Sequence, residues 1–379
     1  MSSFASPPFS PSSTSSSISL SRLGWRPFFS TQLVLAELEA GLPARIVAVH
    51  RSGPEAQSEK GRTAIALTGA AEALLPEGGL TVGDWVLLEA PTPGAAAGLD
   101  AGPPRLLRVL ARESLFSRMA AGKPEARQAI AANVDTLFVV TSCNHDFNPP
   151  RLERHLALAA EARVQPVLLL TKRDLAGDAA PAYEESARRV APRAEVIALD
   201  ATARDEVAAR LAPWLGTGQT VAFVGSSGVG KSTLVNALLG AEAQATAGIR
   251  EDDSRGRHTT TARRMLLLGD GAWLVDTPGM RELKIGAAEE GVAAVFDDVA
   301  SLARGCRFRD CRHGAEQGCA VQAALADGRL DPRRYASYAK LENEARRAGE
   351  TAWQRHERAR KQGRLYKSVK RRLREERER

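Results

Sequence analysis

No apolar run in this chain approaches the ~18 residues needed to cross a bilayer, so no transmembrane helix and no membrane role are expected. Cysteine is scarce: Cys143, Cys306, Cys311 and Cys319 are the four in 379 residues. Three of them fall within fourteen residues, which excludes a spread disulfide framework and points to a metal site in a reducing, cytoplasmic setting. The first 21 residues carry no charge and eleven serines. Without a basic start or a compact apolar core this is not a secretory signal, and without arginines it fits an organelle transit peptide poorly. Residues 1–30 are read as a disordered extension, or in part as a mis-assigned start, and no internal repeat is visible. The body also lacks net charge. From 351 to 379, twelve Lys and Arg face four Asp and Glu, an excess that accounts for the whole-chain value of +7.

What is present divides by pattern. From Arg45 to about Arg112, short apolar runs (46–49, 64–67, 85–88, 106–110) alternate with Gly- and Pro-rich turns, which predicts a small all-β domain over 31–117. It is either an accessory barrel without a ligand or an OB-type barrel that touches RNA. From Asp135 the pattern becomes strand–helix alternation. Continuous apolar strands at 137–140, 167–170, 196–199, 221–224, 266–268 and 273–275 predict a parallel sheet covered by helices on both faces, over 118–284. Residues 285–345 read as helical around the cysteines, and 346–379 as a basic helical tail.

Gly225-Ser226-Ser227-Gly228-Val229-Gly230-Lys231-Ser232-Thr233 fits G-x-x-x-x-G-K-S, after an apolar strand and before a helix. The glycines let backbone N–H groups turn inward around phosphates, and the helix N-terminus adds its positive end. Lys231 is expected at the β- and γ-phosphates, acting in catalysis, and Ser232 on Mg²⁺. Asp276-Thr277-Pro278-Gly279 ends another strand. Asp276 suits magnesium through water, and the Gly279 N–H suits the γ-phosphate. Thr171-Lys172-Arg173-Asp174 resembles the N-K-x-D guanine motif. Asp174 can accept from guanine N1–H and N2–H₂, donors adenine lacks, and Lys172 would lie along the base. Thr171 replaces Asn, a departure that weakens a tie to the phosphate loop. The slot of the fifth motif reads Asp200-Ala201 and gives poor support.

The base motif precedes the phosphate loop, the reverse of the ordinary GTPase order. A circular permutation explains this, because it moves only the chain ends. The segment after Asp276 then runs straight into the cysteines, so γ-phosphate loss is expected to move the C-terminal domain directly; superimposable domain positions in GTP- and GDP-analogue structures would count against it. Cys306, Cys311, His313 and Cys319 match a closed Cys₃His structural zinc site. Cys143 stands alone and reads as a packing thiol. The tail, with Lys370-Arg371-Arg372 at its core, fits phosphate contact without sequence reading.

Together these features resemble the ribosome small subunit-dependent GTPase A family (RsgA), over nearly the whole chain from about Leu23. Further matching segments are 23–29 (Leu-Gly-Trp-Arg-Pro-Phe-Phe), 82–85, 121–123, 130–135, Asp146-Phe147-Asn148 and 255–261. The resemblance implies an N-terminal OB barrel, a permuted G domain and a C-terminal zinc domain: a multidomain α/β protein. It implies GTP and GDP, Mg²⁺ and one Zn²⁺ as ligands. It implies a GTPase that binds the small (30S) subunit and its 16S rRNA, alongside other assembly factors, and is stimulated by that subunit in late maturation and factor release. A monomer is expected. Met280 stands where many GTPases carry a water-orienting Gln, so slow intrinsic turnover is expected. His258 is the candidate to polarise water, or else a loop histidine that packs or contacts RNA. Thr259 or Thr260 completes the magnesium shell. The competing readings are an RNA-binding scaffold with GTP as a structural ligand, separated by subunit-stimulated turnover, and an ATP-using protein, disfavoured by Asp174.

Overall fold

A computed structural model describes residues 18–67, 69–90, 103–120, 123–239, 263–269, 271–277, 280, 289–314, 316–349 and 354. The expectations at His258, Thr259, Thr260, Gly279, the serine-rich start to residue 17 and the tail from 355 lie outside the described residues.

Strands β1 (Gly41–His50), β2 (Gly53–Ser58), β3 (Gly61–Ala64), β4 (Trp85–Glu89) and β5 (Leu106–Val109) form antiparallel ladders. β1 pairs with β2 and β4, β2 with β3, and β4 with β5. Alternate residues of β2 are buried, the period of a strand with one wet face. The inward side chains, among them Ile46, Ala56, Ile65, Val86 and Leu88, make a core of their own. One strand was not foreseen and one expected strand is cut short. β2 (Gly-Pro-Glu-Ala-Gln-Ser) has no apolar run to betray it. The run 64–67 contributes only its first residue to β3, and a short helix follows at Gly69–Glu72. β6 (Leu115–Ala120) and β7 (Lys123–Ala132) form a hairpin, and the expected boundary between 117 and 118 falls inside β6.

β8 (Thr136–Ser142), β9 (Gln165–Thr171), β10 (Glu195–Ala198), β11 (Thr220–Val224), β12 (Arg263–Leu267) and β13 (Trp273–Asp276) complete the set. The sheet runs β10-β9-β8-β11-β13-β12-β1-β2-β3. Its first five members are parallel. β12 is antiparallel to β13 and to β1, so the sheet is mixed and passes without a break into the N-terminal strands. Every residue of β8 and β11 is buried, as central strands covered on both faces require. Helices Pro149–Glu161 and Ala180–Val190 cover one face; Arg204–Leu211 and Lys231–Leu238 cover the other. From β8 the chain winds outward to β9 and β10, then returns to the far side of β8 as β11. That reversal makes the carboxyl ends of β8 and β11 a topological switch point, where such sheets bind ligands.

Residues 20–30 strap the two parts together. Trp25 stands edge-on to Trp85 with centroids 4.8 Å apart, and Phe29 is fully buried. The buried Arg45 guanidinium donates to Leu23 O at 2.7 Å, Asn133 O at 3.1 Å and Thr220 Oγ1 at 2.7 Å. Burial pulls its pKa down to about 10, which still leaves it charged at neutral pH. Gly24 has φ +89°, and a Cβ there would lie 2.5 Å from Gly218 O, so only glycine lets the strap approach the sheet.

Of the C-terminal helices, Glu289–Val295 and Pro332–Gly349 pack onto helix Pro149–Glu161, while Asp297–Ala303 packs on Glu289–Val295 and on Ala320–Ala326. Their apolar residues Val292, Phe296, Val299, Val321 and Leu341 join the main core rather than forming a separate one.

Candidate functional site

The glycine-rich turn follows β11 directly. At Gly225 (φ +148°) a Cβ would stand 2.2 Å from Val140 O of β8, so the loop can leave its strand only as glycine. Gly230, at φ +94°, precedes helix Lys231–Leu238. The Lys231 ammonium reaches back across the turn to donate to Gly225 O at 2.9 Å and to Ser226 O. Val229 is buried under the loop. Ser227 and Gly228 are exposed at its tip, and Ser232 and Thr233 are exposed in the first helical turn. A glycine-rich turn, a helix start and an ammonium stand together here, the elements that suit a chain of phosphates.

The base motif meets this loop through one hydroxyl. Thr171, at the end of β9, donates to Val229 O at 2.6 Å and lies 3.1 Å from Thr141 O. Thr, standing where the guanine motif has Asn, makes this tie through its hydroxyl. Lys172 takes a left-handed conformation (φ 58°), and Arg173 and Asp174 open the exposed helix Arg173–Ala176 beside it. Asp200, by contrast, turns inward to accept from Thr202 N at 2.8 Å and Thr202 Oγ1 at 2.7 Å. Those backbone and hydroxyl bonds hold its carboxyl below the usual range. Asp200 builds its own turn.

On the other flank, Asp276 ends β13, next to β11. Antiparallel pairing sets Arg264 of β12 opposite it, and Arg264 Nε donates to Asp276 Oδ2 at 3.1 Å. The Asp276 carboxylate and the Ser232 hydroxyl are hard oxygen donors of the kind Mg²⁺ takes, and Arg264 would have to yield Asp276 Oδ2 to the metal. Met280 is buried in the main core, 4% exposed, so neither its chemistry nor its position serves a water molecule.

Three contacts escaped the sequence reading. Ser226 Oγ donates to Asp146 Oδ2 at 2.6 Å, and Arg151 Nη1 donates to Asp146 Oδ1 at 3.0 Å and to Ser226 Oγ. Burial alone would raise the Asp146 carboxyl, but the Ser226 hydroxyl and the Arg151 guanidinium overcome it and hold it below its usual range. Asp146 was seen only as part of a matching segment. Its partner is 80 residues away, beyond any local pattern. One turn after Arg151, His155 Nδ1 is sealed from water with no partner among the described residues. Burial, then the charges of Arg151, Arg154 and Lys231, push its pKa down to about 4.

Cys306, Cys311, His313 and Cys319 gather their ligand atoms within 4.8 Å of one another. Sγ of Cys306 lies 3.9 Å from Sγ of Cys319, and His313 Nδ1 lies 3.6 and 3.5 Å from those two sulfurs. A tetrahedral zinc with bonds of ~2.3 Å to sulfur and ~2.1 Å to nitrogen sets such separations at roughly 3.8 and 3.6 Å. The cluster therefore has the size for one zinc ion. Tyr335 Oη and Gln322 Nε2 both donate to His313 O, fixing the turn that carries the imidazole. Cys143 is buried, away from this group, and burial first of all raises its thiol to about 11.

Comparison with known proteins gives a consistent result. The RsgA GTPase family profile matches residues 109–286. The small ribosomal subunit biogenesis GTPase RsgA 2 of Vibrio vulnificus is 46% identical over 352 residues, covering 92% of this chain and 95% of its own. The small ribosomal subunit biogenesis GTPase RsgA of Mesorhizobium japonicum is 46% identical over 334 residues, covering 87% and 91%. Among solved structures, YjeQ from Thermotoga maritima superposes with a TM-score of 0.59 at 25% identity, over 82% of this chain and all of that one. YloQ, described as a circularly permuted GTPase, gives 0.56 at 23% identity over 82% and 97%, a likeness of fold.

Proposed function

This chain belongs to the RsgA GTPase family and is a GTP hydrolase, and we propose that it acts in biogenesis of the small ribosomal subunit, binding that subunit and its 16S rRNA and turning over GTP in response. The observation that carries the site assignment is the 2.6 Å bond from Thr171 to Val229 O, which brings an expected base-reading segment against an expected phosphate loop despite the inverted chain order.

In this reading, Lys231 and the backbone of 225–233 hold the β- and γ-phosphates, while Asp174 and Lys172 select guanine. Ser232 and Asp276, with Thr259 or Thr260, hold Mg²⁺, which would neutralise charge on the transferring phosphoryl group. Met280 is chemically unable to orient water, so another group does so; His258 is the candidate. The N-terminal strands act as an OB-type barrel, and the tail from 355 contacts rRNA phosphates. Cys306, Cys311, His313 and Cys319 hold a structural zinc that stabilises the turn around His313. Turnover is linked to late maturation and factor release.

GTP turnover with and without purified small subunits tests the proposal. Stimulation of at least tenfold is expected in wild type, and its loss in His258→Ala with GTP binding kept. Equal rates with and without subunits would refute the functional reading and leave GTP as a structural ligand of an RNA-binding scaffold.

A further inference from the structure

Asp146, Arg151 and Ser226 form a closed ring of hydrogen bonds in which every polar atom is used in its proper sense. The serine hydroxyl gives its one proton to Asp146 Oδ2 and accepts from Arg151 Nη1; the same nitrogen donates to Asp146 Oδ1. A hydroxyl has one donor, so this arrangement fixes its rotor. Ser226 is the second residue of the glycine-rich turn, and its carbonyl is one of the two that the Lys231 ammonium touches. Its flanking residue Gly225 has no side chain to hold it, and Ser227 and Gly228 beyond are exposed.

The other side of the ring is firmly built. Asp146 N donates to Asn144 Oδ1 at 2.9 Å, Ser142 Oγ is bonded to that same oxygen at 2.8 Å, and Asn148 caps helix Pro149–Glu161 through Arg151 N at 3.1 Å. The ring therefore joins the second residue of the phosphate loop to the first turn of helix Pro149–Glu161.

We infer that Asp146 and Arg151 are positioning residues for nucleotide binding: through Ser226 they hold the start of the phosphate loop in its binding shape, so that the loop need not be ordered when phosphate arrives. The inference rests on the reading of 225–233 as the phosphate site. Pre-organisation of this kind acts on affinity, because a loop already ordered loses less conformational freedom on binding. Bonds to charged groups lie at the stronger end of the hydrogen-bond range, so their loss is expected to weaken affinity by about tenfold.

The experiment is a double-mutant cycle read by equilibrium titration of a fluorescent GDP analogue in the presence of Mg²⁺, using the full chain. Wild-type binding is measured first; its absence would sink the phosphate-site reading itself. With wild type binding, Asp146→Ala and Ser226→Ala should each lower affinity about tenfold, and the double variant should be no weaker than either single one. Asp146→Asn, which retains an acceptor for the serine, should recover at least threefold of the loss. Losses that add in the double variant, or affinity unchanged in all three, would overturn the inference. Should Asp146→Ala fold poorly, the Ser226→Ala and Asp146→Asn titrations decide it, since alanine at an exposed-edge serine removes one oxygen and no packing.

Discussion

Acidification should destabilise this protein through His155 in a measurable way. The imidazole sits on helix Pro149–Glu161 with Nδ1 sealed and unpartnered among the described residues. Burial, followed by Arg151, Arg154 and Lys231, lowers its pKa from 6.5 to about 4. The folded value is the lower one, so the unfolded chain binds the proton first. Stability is whole above pH 6.5 and drains as pH falls toward 4. With one pKa unit equal to ~1.4 kcal/mol, the full loss is about 3 kcal/mol, and roughly 2 kcal/mol is gone by pH 5. Other groups titrate too. Burial raises the carboxyls of Asp84 and Glu153, whose contribution has the opposite sign. His155→Leu therefore serves as the reference, because those groups are common to both proteins and cancel in the difference. Urea unfolding at pH 7.5 and 5.0 should show wild type losing about 2 kcal/mol more than His155→Leu. The leucine variant should also gain about 1 kcal/mol at pH 7.5, since it removes a buried unsatisfied nitrogen. Parallel pH responses in the two proteins would refute the argument and mean that the imidazole has a charge-tolerant partner.

Two further outcomes follow from single contacts. Thr171→Val keeps the shape of the side chain but removes the bond to Val229 O; a neutral hydrogen bond of about 0.5–1.5 kcal/mol translates to a loss of roughly 2- to 12-fold in GDP affinity, and a change below that range would show the tie to be idle. Metal analysis should find one zinc per chain, and chelation should release hydrogen-exchange protection around 305–320 while leaving β1–β5 protected; retention of protection without metal would remove the zinc assignment.

What could be read from the sequence was whatever is chemically local. The loop 225–233 and the cysteine group each carry their meaning in fewer than fifteen consecutive residues, and β8 and β11 declare themselves by unbroken apolar runs. Contacts between distant segments were invisible. Nothing in Gly53–Ser58 marks a strand, because β2 is held by pairing with β1 and not by its own composition. The β1–β12 pairing, which makes one sheet of two expected domains, depends on a register that no local pattern encodes. Arg45 carries no local mark of burial; it is buried because three acceptors from three separate segments converge on it. Thr171 reaches Val229 O in a way that no local pattern shows. Its reach depends on how closely β9 approaches Val229, which is a property of the packed sheet.

The permuted order bears on how the C-terminal helices move. The C-terminal helices follow the Asp276 segment in the chain, which pointed to a direct pull on the cysteine-bearing unit. In the fold that unit is fastened to helix Pro149–Glu161. Arg154 makes paired bonds of 2.6 Å to Glu344. The buried Glu153 is bonded by Arg334 at 2.9 Å and by Ser337. At Gly291 the backbones come so close that a Cβ would lie 2.3 Å from Ala157 O. Parting these surfaces would break the bonds to Glu344 and Glu153 and expose core residues such as Val292 and Leu341 to water. A pull from the Asp276 side therefore meets a unit clamped to the helix whose first turn holds Ser226. The arrangement favours joint movement of helix and cysteine-bearing unit over movement of the latter alone. Glu153→Gln, which weakens the clamp without emptying the site, is the variant that separates the two kinds of motion.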